Sequence, residues 1–322
     1  MASEAELGTE ENTRAGFVAV IGAPNAGKST LVNRLVGAKV AIVTHKVQTT
    51  RFPVRGVAMH GDTQMVLLDT PGIFKTKRKL DRAMVRAALS GAEEADTILH
   101  LIDATGWVAK ANNRSMTAAQ KRSVEDDERV IRDLKELGRK AVLALNKIDE
   151  FDHSEVLPII EKLHAEEIYS EIFPISAANG DGVTSLADHL ASTMPAGPYL
   201  YDPEQTADLP MRVLASEVTR EKLMLRLHEE LPYQLTVETE SWEEKRDGSV
   251  KIQQAIIVGR ENHKGMVLGK QGRTVKEIGQ LAREELTTML DRKVHLFLFV
   301  KVDEQWTEKR DNYEPFGLDF DV

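Results

Sequence analysis

FVAVIGAPNAGKST, residues 17 to 30, decides the fold of this chain. A short run of apolar and small residues ends in Gly22; after four more residues come Gly27, Lys28 and Ser29, and LVNRLV then continues as a helix would. A strand, a glycine loop and a helix in that order form a phosphate cradle. The glycines let backbone N–H groups curl round the β-phosphate, and the helix N-terminus turns its positive end toward it. In the pattern Gly22-x-x-x-x-Gly27-Lys28-Ser29, the Lys28 ammonium would reach the β and γ phosphates and the Ser29 hydroxyl would ligate Mg²⁺. Asn25, Ala26 and Thr30 complete the expected nucleotide contacts.

Working outward, MVLLDT (65–70), TILHLID (97–103), AVLALNK (141–147) and IFPISA (172–177) are further near-continuous apolar runs. That is the pattern of strands buried on both faces of a mostly parallel sheet. Helical patterns lie between them, as at 84–95 and 126–138, the second closing on Gly138. The alternation predicts an α/β, doubly wound domain, which binds ligands at the C-terminal ends of its strands. Three motifs fall at such ends. Asp69-Thr70-Pro71-Gly72 places a carboxylate beside the metal and a glycine N–H near the γ-phosphate. Asn146-Lys147-Ile148-Asp149 offers, in Asp149, an acceptor pair for the ring N–H and exocyclic amine of guanine; adenine has no such donor pair. Ser176-Ala177 is positioned to present a backbone N–H to guanine O6. Each motif is weak alone, but together with the glycine loop they specify GTP. Asp103 reads as a turn former, and residues 105–125 as a long polar loop with no assigned task.

The 322 residues suffice for two ordinary domains, and 42% hydrophobic with 29% charged residues is the composition of a soluble globular protein. With no cysteine, disulfides, thiolate metal sites and cysteine nucleophiles are excluded, which fits a reducing compartment. The acidic start MASEAELGTEENTRAG has no apolar stretch and is not a secretory signal, and no run of 18 apolar residues predicts a membrane span. The nine histidines show no ligand spacing, so no structural metal is expected. A net charge of −9 argues against coating nucleic acid non-specifically, while leaving room for a local basic patch.

Four of the 11 prolines fall at 195, 198, 203 and 210, so residues 194–210 read as an extended, stiffened linker. The expected organisation is an N-terminal arm (1–15), a nucleotide-binding domain (16–193), the linker (194–210), a second domain (211–306) and a tail (307–322). The second domain reads as helix (about 211–231), strands (about 234–242 and 250–259), a loop centred on Gly269–Gly272, helix (about 273–290) and strand (294–302), a small α+β arrangement.

The motifs are those of translation-factor-class GTPases. With GAPNAGKS, DTPG and Gln48-Thr49-Thr50-Arg51 after the first helix, the chain resembles the Era branch of bacterial ribosome-associated GTPases over about residues 15–306. The resemblance implies that Thr50 closes over the γ-phosphate and Mg²⁺ in the GTP state; a solvated Thr-Thr turn is the competing reading. The expected catalytic set is Lys28, Thr50, Asp69 and Gly72, with Ser29, Thr50 and Asp69 around the metal. Ile73 stands where Ras-type enzymes carry a water-orienting glutamine, so intrinsic hydrolysis should be slow. Related potassium-dependent GTPases use a P-loop asparagine as a cation ligand, which adds K⁺, through Asn25, to GTP/GDP and Mg²⁺ as an expected cofactor.

The resemblance also implies a C-terminal KH domain, an RNA-binding module whose GxxG loop clamps the backbone of a single strand. Here that loop is Gly269-Lys270-Gln271-Gly272, in the stretch NHKGMVLGKQGRTVKEIG (262–279). Two glycines let phosphates approach the backbone, and the next helix turns its N-terminus to them. Over residues 260–276 five basic residues (Arg260, Lys264, Lys270, Arg273, Lys276) face one acid, Glu261, whereas residues 210–302 carry 16 basic and 14 acidic residues. The positive field is thus local, suited to one strand rather than a duplex. Met266, Val267 and Leu268 either line an apolar base groove or pack inward; Val275, Ile278, Leu281, Ala282, Leu286 and Met289 form the core stripe of the following helix. For the loop itself the bland reading is a solvated turn, and Lys75–Lys79 reads more simply as a solvated segment than as an RNA contact. The implied partner is small-subunit rRNA near its 3′ end, on the small ribosomal subunit. A cytoplasmic monomer is expected, and the resemblance allows peripheral inner-membrane association. The competing function is a membrane-associated signalling switch whose last domain binds protein or lipid, although the chain shows neither a polybasic amphipathic anchor nor a lipidation motif.

Overall fold

A computed structural model describes residues 13–44, 46, 50, 54–70 and 93–306. The chain forms two compact units; the main stretch of the first ends at Asp208 and that of the second begins at Leu209.

The first unit is built on a six-stranded sheet in the order β2-β3-β1-β4-β5-β6. Strand β1 (Arg14–Ile21) lies parallel to both β3 (Thr63–Asp69) and β4 (Thr97–Asp103), and β5 (Ala141–Asn146) and β6 (Tyr169–Pro174) continue the parallel run. Every residue of β4 and β5 is buried, as their continuous apolar sequence requires. All five expected strands are present, the last, β6, running three residues earlier than the expected 172–177. The sequence reading does not anticipate β2 (Val54–His60), an antiparallel edge strand with no apolar run. Its signal is the two-residue hairpin Gly61-Asp62, where Gly61 takes φ +56° between the paired His60 and Thr63.

The expected loop at 105–125 is a correction. Helix α2 (Ala104–Ala111) follows α1 (Lys28–Val36) among the described helices, and α3 (Ala118–Leu137) starts eight residues before the expected 126. Two local features explain this. Asp103 caps α2 by accepting from the Thr105 N–H, and Thr117 and Gln120 form a reciprocal capping box at the start of α3. Burial of Trp107, Val108 and Val124 then supplies the packing. Helices α4 (His153–His164) and α5 (Val183–Thr193) complete the unit among the described residues; residues 84–92 of the expected 84–95 helix lie outside them.

The proline-rich stretch is pinned to this unit. Buried Gln64 donates to the Tyr201 carbonyl (2.8 Å) and accepts from the Leu200 and Tyr201 N–H groups. Val57 N–H donates to Thr206 O, Asp208 N–H donates to Arg55 O, and Gly56 bridges Ala207. The strap thereby covers the open edge of β2.

The second unit has α6 (Met211–Arg226), an antiparallel pair β7 (Leu235–Glu244) and β8 (Val250–Val258), then α7 (Glu261–Leu268), α8 (Arg273–Met289) and β9 (Val294–Val302), parallel to β8. The core joins Leu223, Leu235, Ile256, Val258, Val267 and Ile278. Ahead of GKQG, where only loop is expected, stands α7. Leu281, expected in the core stripe of α8, is 44% exposed, whereas Ile278, Ala282 and Leu286 are buried as expected.

Candidate functional site

Gly22 and Gly27 cannot be replaced cheaply, and the reason is tertiary. Gly22 takes φ +148° with the Leu101 carbonyl oxygen 2.2 Å from where a Cβ would sit; Gly27 takes φ +103° with Asn146 Nδ2 at 2.3 Å. Strand β4 and the end of β5 thus mould the loop from behind. Between the glycines, exposed Asn25 takes φ +65° and Ala26 is fully buried. No side chain caps α1, so its first turn is left for an anion. The Lys28 ammonium arches back to donate to the carbonyls of Gly22 (3.1 Å) and Ala23 (2.9 Å). Burial lowers its pKa to about 8, against the opposing pull of Asp69. Thr30 sits half-buried in the first turn.

The three expected metal residues converge. Ser29 Oγ donates to Asp69 Oδ2 at 2.7 Å, Thr50 Oγ1 donates to the same oxygen at 3.2 Å, and the two hydroxyls lie 2.9 Å apart. Asp69 is fully buried, which raises its pKa, and its Oδ1 has no hydrogen-bond partner. Hard oxygens gathered at a phosphate cradle, one of them an orphaned carboxylate oxygen, suit Mg²⁺. Gly72 and Ile73 lie outside the described residues.

Asn146, 3% exposed, is the joint of the base site: its Nδ2 donates to Ala26 O (2.7 Å) and its Oδ1 accepts from Ala177 N–H (2.8 Å). It locks the phosphate loop to the 176–177 loop. One expectation is corrected here. Ala177 N–H is engaged by Asn146, and Ser176 N–H donates to Asp181 O, so neither is offered to guanine O6 in this structure. Lys147 takes φ +67° and its ammonium pairs with Asp103 at 2.6 Å. Asp103 is therefore more than a turn former: it caps α2 and holds the NKxD lysine. Its place at the end of β4, the same sheet edge as the other motifs, was the sequence signal. Asp149 stands exposed on the 3-10 turn Ile148–Glu150.

In the second unit, GKQG joins α7 to α8 through three left-handed residues, Gly269 (φ +69°), Gln271 (+54°) and Gly272 (+73°). No side chain caps α8, and Arg260, Lys270, Gln271, Arg273 and Lys276 are exposed; Lys264 is half-buried, 3.6 Å from Glu261. Met266 is 58% exposed. Val267 is fully buried with Leu223 and Ile278, so its expected RNA contact is withdrawn: it is core. The two glycines differ. A Cβ on Gly269 would meet Thr274 Oγ1 at 2.1 Å, whereas one on Gly272 meets nothing within 4 Å. Gly272→Ala should cost about 1 kcal/mol, from its backbone conformation alone. Gly269→Ala should lower the thermal midpoint clearly further, and parallel melts of the two variants check the order.

A P-loop with a metal trio, an NKxD turn and a glycine-clamp loop in a second unit defines a guanine-nucleotide-binding protein with a KH-type appendage. Residues 17–147 match the 50S ribosome-binding GTPase family and residues 230–307 match the KH domain. The chain is 57% identical to the GTPase Era of Caulobacter vibrioides (98% of this chain, 99% of that one) and 56% identical to that of Maricaulis maris (96% and 98%). Two solved structures, an Aquifex aeolicus Era variant bound to GDP.AlF4- and Era in complex with MgGDPNP and nucleotides 1506–1542 of 16S ribosomal RNA, each superpose with a TM-score of 0.84 at 37% identity, covering 95% of this chain and 99% of theirs. The chain belongs to the Era family of GTPases.

Proposed function

We propose that this protein binds GTP with Mg²⁺, hydrolyses it slowly, and holds single-stranded RNA near the 3′ end of small-subunit rRNA, acting in maturation of the small ribosomal subunit. Residues 16–193 form the GTPase part, 194–210 the connection and 211–306 the KH part of a cytoplasmic monomer. Among the described residues no helix is long and apolar enough to cross a membrane. The observation that carries the reading is the Asn146 joint, which ties the phosphate loop to the loop flanking the base in a chain that also bears an exposed GKQG clamp. Crosslinking the protein to RNA and sequencing the products, with a GTP analogue and with GDP, tests it. Reads should concentrate at the 3′ end of small-subunit rRNA and change in yield with the nucleotide; a scatter over all RNAs would refute it.

In this reading Lys28 and the α1 N-terminus neutralise the β and γ phosphates, Ser29, Thr50 and Asp69 hold Mg²⁺, and Asp149 selects the base. The bound metal supplies charge neutralisation at the transferring phosphoryl group. The position of Ile73 provides no side chain that orients water. Asn25, exposed and at φ +65°, would help to hold a monovalent cation at the phosphate loop, and K⁺ there would supply positive charge of the kind an arginine finger gives elsewhere. GTPase activity should rise when Na⁺ is replaced by K⁺, and Asn25→Ala should abolish the rise; equal rates in the two salts would dispose of the cation.

A further inference from the structure

Arg34 sits in the last turn of α1, where a cation favours the helix dipole and would need no further task. Its guanidinium nevertheless has one. Although the residue is exposed, Nε donates to the Ala177 carbonyl at 2.6 Å and Nη2 donates to the Ala178 carbonyl. Two aimed donors on two successive carbonyls use the rigid fork that arginine has and lysine lacks. The loop it grips, after β6, is folded back on itself. Ser176 N–H donates to Asp181 O (2.9 Å), Gly180 N–H to Ser176 O (2.8 Å), and Asp181 N–H to Asn179 Oδ1 (2.9 Å). Gly180, at φ +103°, leaves room for the guanidinium: a Cβ there would stand 3.0 Å from Arg34 Nη1. Ala177 is therefore held from two sides, its N–H by Asn146 and its carbonyl by Arg34. Both anchors lead to the phosphate cradle. Asn146 also bonds Ala26 O, and α1 runs without a break from Lys28 to Arg34, about 9 Å along one rigid helix. With the N–H groups of Ser176 and Ala177 engaged, the next donor in the loop is that of exposed Ala178, which donates to no described residue. It belongs to the same planar peptide as the Ala177 carbonyl, so a grip on that oxygen fixes the N–H in the opposite direction.

We propose that Arg34 is a positioning residue for base recognition: gripping the Ala177 and Ala178 carbonyls from α1, it sets the loop after β6 at a fixed spacing from the phosphate cradle and turns the Ala178 N–H to guanine O6. The inference rests on the reading of this cradle as the GTP site. It predicts that an exposed side chain remote from the phosphates matters to one edge of the base and hardly at all to folding.

Three nucleotides read the two edges of the base separately. Inosine triphosphate lacks only the exocyclic amine, and 6-thioguanosine triphosphate carries a weakly accepting sulfur in place of O6. Their affinities and that of GTP are measured on the full-length wild type, Arg34→Met and Arg34→Lys, with a thermal melt of each. Arg34→Met keeps the length of the stem and removes the donors. It should melt close to the wild type and bind GTP and inosine triphosphate about fivefold more weakly, by the same factor, while 6-thioguanosine triphosphate loses less than about twofold. Arg34→Lys, with one compact donor for two carbonyls, should recover part of the loss. Wild-type affinities in Arg34→Met overturn the proposal. An equal loss for all three nucleotides does so too, since it marks a general loosening rather than a lost contact to O6. Should Arg34→Met fail to fold, Arg34→Lys decides: a loss confined to the two nucleotides that carry O6 supports the positioning role, and unchanged affinities overturn it. Failure of the wild type to bind GTP would instead remove the GTP reading itself.

Discussion

Asp149→Asn should lose GTP and gain xanthosine triphosphate. In the proposed function the two carboxylate oxygens pair with the ring N–H and the exocyclic amine of guanine; an asparagine would set its own NH₂ against one of those donors. Hydrogen bonds to a charged group contribute about 1.5–3 kcal/mol each. Loss of one such bond, replacement of the other by a weaker neutral one and the donor–donor clash should together weaken GTP by roughly a hundredfold. Xanthine carries a carbonyl where guanine has its amine, so the same asparagine finds a donor and an acceptor in the right places. The fold should not notice. Asp149 is exposed on the short 3-10 turn after β5, and the joint that holds the loops together is its neighbour Asn146. Competition binding of GTP, ATP and xanthosine triphosphate to both proteins measures the switch. Unchanged GTP affinity in the variant would remove Asp149 from the base site.

The double substitution Lys270→Asp with Gln271→Asp should cost the KH unit its RNA while sparing everything else. Two carboxylates would then occupy the turn at the uncapped start of α8, where the RNA backbone is expected. They repel phosphate and compete for the same helix N-terminus. Single-stranded RNA affinity should fall at least about tenfold, roughly 1.4 kcal/mol, with a shallower dependence on salt. The turn should survive. Gly269 and Gly272 remain, and aspartate tolerates the left-handed conformation that Gln271 holds at φ +54° better than most residues do. The packing of Ile278, Ala282 and Leu286 is untouched, so the thermal midpoint and the affinity for nucleotide should stay put. RNA bound as tightly as by the wild type would mean that the loop is a solvated turn and that the RNA site lies elsewhere.

Local chemistry made much of this protein legible. The P-loop announces itself because a left-handed glycine turn before a helix admits few residue types, and the central strands β4 and β5 announce themselves because burial on both faces leaves no polar alternation to confuse them. The motifs at the strand ends gave the base and the metal, since a doubly wound sheet puts all its ligand groups on one edge. What local pattern left ambiguous went astray in consistent ways. The stretch around Trp107 looked polar and loop-like because α2 is only eight residues long and both helices begin at caps, Asp103 and Thr117, ahead of Val124, the first buried residue of α3. Edge strand β2 carried no apolar run: Gly56 leaves room there for Val32 and Val36 of α1, and the proline-rich strap pairs with its outer edge.

From sequence by itself came the candidate groups: a phosphate loop, a carboxylate and two hydroxyls proposed for Mg²⁺, an acid proposed for guanine, and a basic glycine loop in the second unit proposed for RNA. Tertiary structure alone decided how those groups are held. Only in three dimensions does Asn146 reach both Ala26 and Ala177, does Leu101 O forbid a side chain at Gly22, and do Asp103 and Lys147, 44 residues apart, become a pair. Whether Val267 meets a base or the core was likewise settled by packing, since one helical face serves either purpose until the sheet closes over it. The physical reason is the same throughout: residue chemistry is carried locally along the chain, whereas burial and hydrogen-bond partnership depend on distance in space, and strands brought side by side in a sheet make neighbours of residues that no sequence window contains.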